Sequence, residues 1–577
     1  MPNLEKSVQY GNTEGQPFDD LNTAINFNKP ITGLNMRTGN IIDSIQAVYG
    51  SNAAPAHGGT GGSATTVRLD AGDYFTEISG FTGNWFGPVF VLQLAFHSRY
   101  GKIVYQPANP VFGNMDYSSN RVAFSIQAPQ GMQIRALYGT TFATNNGQLT
   151  VLASLGAYFH IAPAEAGDDK KLANGLAIYA DNIFGGEGVP GCALIVCRQT
   201  IRNGVASYEL NYYGYAGAGR VVPNPNTNFC IGSVTKSFTG SVLAARILEG
   251  GSYSIAAKVA GFLPLPADVS RDARILKTTL GQLATHTSCF VHNFGGQDHG
   301  AYNGNPSTLG ELNPSNAQVK EWTNSEKNFQ NGDKNPCVVQ QSQRYSNWGF
   351  KTLAFAVCKP EPPAEYYNYD PVLAQYVNDL FLLQHTNTQE STKVPLGYLY
   401  NDDQKKLVEA GGKANGIRSS VGDMATFLAS YLVGLYQAAN DPNPSQLAKT
   451  VKQAVTQPYL PKATNALGWG VSQFAGHQLI SKNGSTSRQG YSAWIGLLPD
   501  LNVKAGNGVY HQAGVVVLVN CASPKTVASS PQKWQGQTVG PKPEALGQLV
   551  LQYLISPTGT LDGFEPAAPP EEDDDED

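Results

Sequence analysis

The hydrophobic pattern of the chain changes near residue 165, and this change constrains the possible folds more than any other feature. Before it, short apolar runs alternate with Gly, Asn and Asp. After it, Leu172, Leu176, Tyr179 and Ile183 form an apolar stripe at helical spacing. The 577 residues also exceed what one hydrophobic core normally serves. The sequence therefore predicts two or three domains of different structural class.

The segment 8–162 contains apolar runs at regular spacing, such as TTVRL and FVLQLAFHS, with turn residues between them. This pattern predicts short strands in an all-β sandwich, barrel or prism. The stretch 163–169 interrupts the pattern and is interpreted as a linker.

The segment 170–556 begins with the helical stripe, and an apolar strand follows it after a turn. Helical periodicity resumes after Ser233, and strand-like runs return in YSAWIGLLP and GVVVLVN before a final helix. Strands from both ends of this segment, with helices from its middle, predict an α+β arrangement. The tail 557–577 ends in a run of like charges that cannot be buried, so we expect it to be disordered.

Charge and hydropathy narrow the range of partners. The formal net charge is −5 at pH 7 and no basic patch stands out, which argues against nucleic acid and anionic membranes. No apolar run reaches the ~18 residues of a membrane-spanning helix. The N-terminus lacks the basic start and apolar run of a secretory signal peptide. These features predict a soluble protein and leave its localisation open between the cytoplasm and export without a leader.

The cysteines and histidines give no pattern for metal or redox chemistry. The seven cysteines include no Cys-x-x-Cys pair, and the nine histidines form no His-Glu-x-x-His ligand set. We therefore expect no metal site and no cofactor. Cys192 and Cys197 are interpreted as buried thiols of a strand. Cys289 and Cys337 flank a long polar insertion and are candidates for a disulfide.

A serine and a lysine stand three residues apart at the predicted start of a helix, so Ser233 and Lys236 share one helix face. A serine hydroxyl is a weak nucleophile until another group takes its proton. A lysine can take it only if its pKa falls well below the reference of ~10.4, and burial or a nearby cation would lower it. Because four-residue matches of this kind are common, an ordinary surface helix start remains the alternative.

Two later motifs supply the groups that this chemistry needs. Tyr345, beside two lysines, could hold a phenolate and exchange protons with a leaving group. Asn347 could hydrogen-bond the lysine and a substrate amide. The run Lys482-Asn483-Gly484 opens a predicted strand, which could offer the backbone N–H of Ser485 to an oxyanion together with that of Ser233.

Over residues 170–556, the ordered motifs Ser-x-x-Lys, Tyr-x-Asn and Lys-x-Gly resemble those of the serine β-lactamase and penicillin-binding protein superfamily, specifically its class C branch with the family VIII esterases. The resemblance implies an antiparallel sheet with flanking helices and a helical subdomain. The supporting stretches are GVPGCALIV, TNFCIGSVTKSFTG, TLGQLATHTS, ANGIRSSVGDMATFLASYL and LGWGV.

The resemblance also implies a role for each motif residue. Ser233 would form the acyl-enzyme, while Lys236 and Tyr345 would share the acid and base work. The oxyanion hole would consist of the backbone N–H groups of Ser233 and Ser485. The implied substrate-binding and electrostatic residues are Asn347, Lys482, Gly484, Ser485 and Tyr491.

The sequence departs from the family pattern at several positions. Asn483 stands where threonine is common, which weakens the case for recognition of a β-lactam carboxylate. Cys289 replaces the usual glycine after HTS. Two polar insertions, before Tyr345 and in KPEPPAEYYNYDPV, either reshape substrate access or are surface loops. The resemblance makes His286 a structural residue and not a member of a Ser-His triad.

Over residues 8–162, the stretches ITGLNMRTGNIIDSIQAVYG and HGGTGGSATTVRLDAGDYFTEISGFTG resemble a jacalin-related lectin, a β-prism of three four-stranded sheets. In sugar-binding members an N-terminal glycine and a late Gly-x-x-x-Asp loop hold the sugar. Gly15 fits the first, whereas Ala153 stands where the aspartate belongs, which removes a two-acceptor clamp on vicinal hydroxyls. Carbohydrate binding and a docking or structural role both stay open.

Two hypotheses follow for the whole chain. The first is an active serine hydrolase on ester, amide or peptide substrates, coupled to a lectin-like targeting domain. Within it, esterase or transesterase chemistry is favoured over β-lactamase activity. The second is a non-catalytic carbohydrate- or protein-binding protein that retains the hydrolase fold. Loss of Ser233, Lys236 or Tyr345 would be expected of the second, and all three are present.

Overall fold

The computed structural model describes residues 5–564 with gaps. The undescribed positions in this span are 28–29, 70–72, 100–112, 115–117, 130–131, 145–148, 163, 185–190, 203–204, 218–219, 264–273, 291–342, 359–368, 390–391, 402–405, 410–416, 457–464, 487–488, 501–502, 506–507, 523, 525–527, 529, 557 and 562. Cys337, most of both polar insertions and the C-terminal acidic run therefore lie outside the described residues. The chain forms two compact units, Asn3–Pro163 and Ala164–Asp577, the second including Met1–Pro2.

The N-terminal unit is built from strands and one short helix. In chain order these are β1 (Glu5–Lys6), β2 (Tyr10–Gly11), β3 (Gln16–Asp19), α1 (Leu21–Phe27), β4 (Gly33–Thr38), β5 (Ile42–Tyr49), β6 (Asn52–Ala53), β7 (His57–Gly58), β8 (Ser63–Arg68), β9 (Phe75–Trp85), β10 (Val89–Ser98), β11 (Ser118–Gln127), β12 (Met132–Thr144) and β13 (Leu149–Ile161).

These strands form three antiparallel sheets. Their orders are β1-β13-β12-β3 with β2 on β13, β10-β9-β11, and β6-β5-β4-β8 with β7 on β5. Residues in or beside strands of all three sheets meet in one buried cluster. Its members are Ile41, Phe90, Leu92, Val151 and Ala153. Three sheets around a shared apolar core confirm the predicted all-β prism, although the described strands number five, three and five in these sheets and not four in each.

The C-terminal unit mixes strands and helices. Its elements are β14 (Glu165–Ala166), α2 (Lys170–Phe184), β15 (Cys192–Arg202), β16 (Val205–Tyr215), β17 (Asn228–Cys230), a 3₁₀ turn (Gly232–Val234), α3 (Thr235–Glu249), a 3₁₀ turn (Val259–Gly261), α4 (Arg274–Lys277), α5 (Leu280–Ala284), α6 (Asn347–Val357), α7 (Asp370–Leu373), a π-helical turn (Ala374–Asn378), α8 (Asp379–Phe381), β18 (Tyr398–Asn401), β19 (Lys406–Glu409), β20 (Arg418–Ser420), α9 (Val421–Asn440), α10 (Gln446–Val455), β21 (Gly470–Phe474), β22 (His477–Thr486), β23 (Tyr491–Leu498), β24 (Val503–Ala505), β25 (Gly508–Val519), β26 (Cys521–Ala522), β27 (Lys533–Trp534), β28 (Gln537–Thr538) and α11 (Pro543–Ile555).

The central sheet has the strand order β14-β16-β15-β25-β23-β22-β21, with β24 paired to β25. Strands from the start and the end of the unit thus lie side by side, because β15 pairs with β25. Neighbours are antiparallel except β14 and β16, which are parallel. This arrangement confirms the predicted α+β class.

Helices cover both faces of the sheet. The predicted apolar stripe of α2 is buried in one cluster with Val515 of β25 and Leu549 of α11. Alternate residues of a strand face opposite sides, and a Cβ on the neighbouring Gly514 would lie 2.7 Å from Leu428 of α9. The first and last helices of the unit therefore share one face, and α9 covers the other.

Two segments that we expected to be unstructured contribute to this unit. Glu165 and Ala166, from the predicted linker, pair with β16 and so belong to the sheet. Leu561, from the predicted disordered tail, is fully buried in the main core. Phe564 packs against Phe474 with ring centroids 5.3 Å apart. Apolar residues just before the acidic run are thus part of the core.

The prediction that Cys192 and Cys197 are buried thiols of a strand is confirmed. Cys289 is disulfide-bonded, while its candidate partner is undescribed. Within the described ranges, no group of three His, Cys, Asp or Glu could hold a metal ion, and no helix has the length and apolar character to cross a membrane. In the part of the chain that the structure describes, the free cysteines are all buried: Cys192, Cys197, Cys230, Cys358 and Cys521.

Candidate active site

Ser233 lies in the 3₁₀ turn that joins β17 to α3. The preceding Gly232 has a φ of +51°, in the left-handed region that glycine adopts most readily. A Cβ at this position would lie 2.5 Å from the backbone nitrogen of Ser485. Glycine is therefore required here both for the turn and for the close approach of strand β22.

Lys236 occupies the first turn of α3 and is only 7% exposed. Its Nζ donates hydrogen bonds to Ser233 Oγ at 2.9 Å and to Asn347 Oδ1 at 2.8 Å. Asn347 is the first residue of α6, whose N-cap Ser346 accepts the N–H of Gly349. The cap fixes the start of α6, and thereby the amide that holds the lysine.

The phenol of Tyr345 completes the cluster around the serine. Its hydroxyl lies 2.6 Å from Ser233 Oγ. The ring centroid is 4.7 Å from Lys236 Nζ and 4.9 Å from Lys482 Nζ. Both ammonium groups are therefore within the range of a cation–π contact with this ring.

The edge of β22 faces the 3₁₀ turn that carries Ser233. Strand β21 pairs with β22 only as far as Ser481, and among the described strands none pairs with 482–486 on that side. A Cβ on Gly484 would overlap the carbonyl oxygen of Ile231, so the two backbones are in contact. This edge brings the N–H of Ser485 beside the turn that carries Ser233, which is the arrangement an oxyanion hole requires.

The structure thus assembles Ser233, Lys236, Asn347, Tyr345 and Lys482 in one place, although three remote stretches of chain supply them. Such a cluster can activate a hydroxyl, accept its proton and return that proton to a leaving group.

Tyr491 differs from the expectation that it lines the pocket. It is 2% exposed, its hydroxyl donates to the carbonyl of Pro395, and burial raises its pKa. Its position opposite Thr486 at the hairpin end of β22 explains the difference, because the side chain points into the protein beneath the segment before β18. Its phenol is therefore engaged by the protein itself.

Asn483 is also turned away from the lysine cluster. Since adjacent strand residues face opposite sides, Asn483 points from Lys482 toward α11. There its Nδ2 donates to Glu544 Oε2 at 3.2 Å, and Gln548 donates to the other carboxylate oxygen at 3.1 Å. Glu544 had no motif in the sequence to indicate it.

His286 lies against the tyrosine of the cluster. Its ring centroid is 4.5 Å from that of Tyr345, and its Nδ1 accepts the backbone N–H of Ser346 at 3.1 Å. This agrees with a structural role for His286.

The N-terminal unit contains a second polar feature, the carboxylate of Asp43. This side chain is 5% exposed, and burial raises its pKa while the guanidinium of Arg37 partly offsets the shift. A Cβ on Gly62 would lie 2.5 Å from Oδ2, and one on Gly61 would overlap Oδ1. Arg37 donates to the carbonyls of both glycines at 2.8 Å. The carboxylate therefore packs directly against the two glycines, at positions where any side chain would collide with it.

Sequence analysis missed Asp43, although a signal was present. Gly39 and Asp43 have the Gly-x-x-x-Asp spacing that was sought near Ala153. Ala153 itself is fully buried in the prism core. Gly15, the predicted sugar contact, packs its Cα against the carbonyl of Thr141, where a Cβ would overlap.

Comparisons with known proteins agree with this architecture. The model of the Beta-lactamase family matches residues 181–535, and that of the Jacalin-like lectin domain matches residues 7–158. No curated protein matches the chain.

Solved structures resemble each unit at low sequence identity. An octameric penicillin-binding protein homologue from Pyrococcus abyssi is 18% identical over 68% of this chain and 78% of its own, with a TM-score of 0.44. A β-lactamase/D-alanine carboxypeptidase from Yersinia pestis is 16% identical over 67% and 99%, with a TM-score of 0.42. A mannose-binding jacalin-related lectin from Ananas comosus is 24% identical over 27% and 97%, with a TM-score of 0.21.

Replacing Gly232 by alanine tests the close approach of β22. We expect Gly232→Ala to slow labelling of Ser233 by a fluorophosphonate at least tenfold, because the new Cβ displaces the Ser485 backbone. Gly251→Ala is the control, since Gly251 has a φ of +71° and a Cβ added there would have nothing within 4 Å. It should cost about 1 kcal/mol of unfolding free energy and leave labelling unchanged. Equal labelling of Gly232→Ala and wild type would show that the reactivity of Ser233 does not depend on the close approach of β22.

Proposed function

Because the chain belongs to the β-lactamase family, we propose that it is a serine hydrolase that cleaves ester or amide bonds through an acyl-enzyme on Ser233. The observation that carries this proposal is the pair of hydrogen bonds to Ser233 Oγ, from Lys236 Nζ at 2.9 Å and Tyr345 at 2.6 Å. A hydroxyl that is hydrogen-bonded to two titratable groups can lose its proton to them and take it back from them.

In the proposed acylation step, the Lys236–Tyr345 pair takes the proton of Ser233 as Oγ attacks the substrate carbonyl carbon. The carbonyl oxygen becomes an oxyanion, which the N–H groups of Ser233 and Ser485 stabilise. When the bond to the leaving group breaks, Tyr345 returns the proton to the departing oxygen or nitrogen. The product of this step is an ester of Ser233 with the acyl group.

Deacylation reverses these proton movements with water as the nucleophile. The Lys236–Tyr345 pair takes a proton from water, and the resulting hydroxide attacks the acyl carbon. The bond to Oγ then breaks, and the same pair returns the proton to Ser233. An alcohol in place of water gives a transesterase, which the same geometry permits.

Neutral esters are the substrates that this site favours over β-lactams. A β-lactam brings a carboxylate, and the donor that Asn483 could offer is occupied by Glu544. Glu544 also places a buried carboxyl group behind the strand edge, since the residue is 7% exposed. When it is ionised, its repulsion offsets part of the attraction that the ammonium groups of Lys236 and Lys482 exert on an anionic substrate. β-Lactam hydrolysis is therefore the minor activity in this proposal.

Removal of the serine hydroxyl tests the reaction. We expect p-nitrophenyl acetate turnover with a burst in wild type, and a loss of about 10³-fold or more in kcat for Ser233→Ala. Intact-mass analysis should find a fluorophosphonate adduct on Ser233 in wild type alone. Equal turnover by both proteins would favour the alternative of a non-catalytic binding protein.

Neutralising Glu544 tests substrate charge. Two like charges about 10 Å apart repel by about 1.7 kcal/mol at an effective dielectric constant of about 20, and Glu544 is the carboxyl group behind this edge. Glu544→Gln should therefore raise kcat/KM about tenfold for a carboxylated phenyl ester relative to its neutral methyl ester. Glu14→Gln, on the exposed surface of the other unit, should leave this ratio unchanged. A ratio unaffected by Glu544→Gln would exclude the charge effect.

Carbohydrate binding by the jacalin-like unit is the second candidate function, and Asp43 supports it. A carboxylate offers two acceptors to vicinal sugar hydroxyls. Because Asp43 is 5% exposed and lies against Gly61 and Gly62, the ligand would have to reach the small exposed edge of this carboxylate. The proposed ligand is a monosaccharide or glycan terminus with vicinal hydroxyls.

Substitution of Asp43 tests this second function on the full chain. We expect a glycan array to show binding by wild type and a loss of at least tenfold for Asp43→Asn, since a charged hydrogen-bond acceptor contributes about 1.5–3 kcal/mol. Glu77→Gln, which alters a carboxylate on β9 that accepts the hydroxyl of Ser125, should bind as wild type. A silent wild-type array would favour the docking role.

A further inference from the structure

We infer that His286 is a positioning residue that holds Tyr345 against Ser233, because it hydrogen-bonds the backbone on both sides of the tyrosine. The inference rests on the proposed hydrolase function, because it assigns a task to that site. It gives His286 no contact with substrate.

His286 accepts two hydrogen bonds from this backbone, one at its main-chain carbonyl and one at its side chain. The carbonyl of His286 accepts the N–H of Arg344 at 2.8 Å. The imidazole Nδ1 accepts the N–H of Ser346 at 3.1 Å. These donors belong to the residues directly before and after Tyr345. One residue therefore fixes the backbone on either side of the phenol.

Ring packing restrains the phenol itself. The imidazole lies 4.5 Å from the Tyr345 ring at an interplanar angle of 35°. On another side it contacts the ring of Phe350 in α6 at 4.9 Å. His286 is 4% exposed, so these contacts are made inside the protein.

The protonation state of His286 follows from the second hydrogen bond. A nitrogen that accepts an N–H must carry a lone pair, so the proton of the neutral imidazole is on Nε2. An Nδ1–H would point at the N–H of Ser346. The arrangement thus requires neutral imidazole and excludes Nδ1 as the base for the Ser233 proton.

The backbone of His286 has a left-handed conformation, in which both of these hydrogen bonds are made. Its φ is +59°, which is uncommon for a residue other than glycine. The N–H of the next residue, Thr287, donates to the carbonyl of Gln282 at 2.9 Å, which closes the turn after α5. Strained residues of this kind persist where the surroundings determine them, and they occur often at functional sites.

Tyr345 needs such support because of where it lies. Its segment, 343–346, is neither helix nor strand, and α6 begins only at Asn347. A side chain on an irregular segment loses a 2.6 Å contact with small backbone shifts, and misplacement by about 1 Å can cost about 10²-fold in rate.

Two substitutions that tolerate a positive φ separate the effect of the side-chain hydrogen bond to Ser346 from the effect of the backbone conformation. In His286→Asn, Oδ1 can replace Nδ1 as the acceptor, and asparagine adopts the left-handed region readily. In His286→Gly, the backbone conformation and the carbonyl contact are retained, but the side-chain acceptor is lost. His286→Phe retains an aromatic ring without the acceptor.

We expect His286→Asn to keep kcat for p-nitrophenyl acetate within about fivefold of wild type. His286→Gly and His286→Phe should lose at least thirtyfold in kcat with KM changed less than threefold. Thermal unfolding of each variant gives the folded fraction, to which the rates are normalised. Equal losses in His286→Asn and His286→Gly, or full activity of His286→Gly, would overturn the inference.

A spectroscopic measurement keeps this result separate from the hydrolase proposal. The ionisation of Tyr345 is followed by ultraviolet difference absorbance against the matching Tyr345→Phe protein, which requires no turnover. We expect its midpoint to move in His286→Gly and to stay near wild type in His286→Asn. If wild type lacks activity but the midpoints behave in this way, the hydrolase proposal fails and the positioning role stands. If the midpoint is the same in all variants, the positioning role fails.

Discussion

The whole candidate site depends on two backbones that approach more closely than side chains would allow. Gly232 and Gly484 face each other's chains, and a Cβ on either would overlap the opposite backbone. Because of this contact, the edge of β22 lies directly beside Ser233. A preorganised pair of donors needs no reorganisation when the oxyanion forms. In the proposed reaction, the two glycines thus contribute indirectly, because their lack of side chains permits this approach.

The second constraint is electrostatic. Lys236 is nearly buried, and an isolated charge in such a place is costly unless it is paired and hydrogen-bonded. The lysine donates to Asn347 and Ser233 and lies over the Tyr345 ring, while Lys482 approaches that ring as well. Removal of one proton from this group of hydroxyls and ammonium groups relieves repulsion between the two cations. In the proposed reaction, Lys236 and Tyr345 would therefore share the proton that leaves Ser233.

Much of this could be predicted from the sequence, since periodicity and spacing carry the information. The stripe of α2 is buried as its helical spacing indicates, and the order of the three motifs identifies Ser233, Lys236 and Tyr345 before any coordinates. The resemblance to two families supplied what periodicity alone leaves open, namely the prism and the antiparallel sheet.

Other features could not be predicted because they depend on side-chain direction or on remote contacts. Tyr491 was expected at the pocket, but its strand position turns it toward Pro395. The role of His286 depends on a positive φ, which no motif encodes. Leu561 and Phe564 are buried although an acidic run follows them, because apolar contacts with a core built from distant segments outweigh local composition. Asp43 could not be recognised because its Gly-x-x-x-Asp spacing with Gly39 lies early in the chain, whereas the resemblance places this motif in a late loop.

The final helix links the end of the chain to the chemistry at its middle. α11 packs beside α2 on one face of the sheet, and the hydroxyl of Tyr179 donates to the carbonyl of Pro541 at 2.8 Å, just before α11 begins. From this anchored start, Glu544 reaches Asn483 on the strand that also carries Lys482. The helix thus sets both the position of the strand and the charge behind its edge. In the proposed hydrolase, a substitution on α11 can consequently change the substrate preference while the Ser233 cluster stays the same.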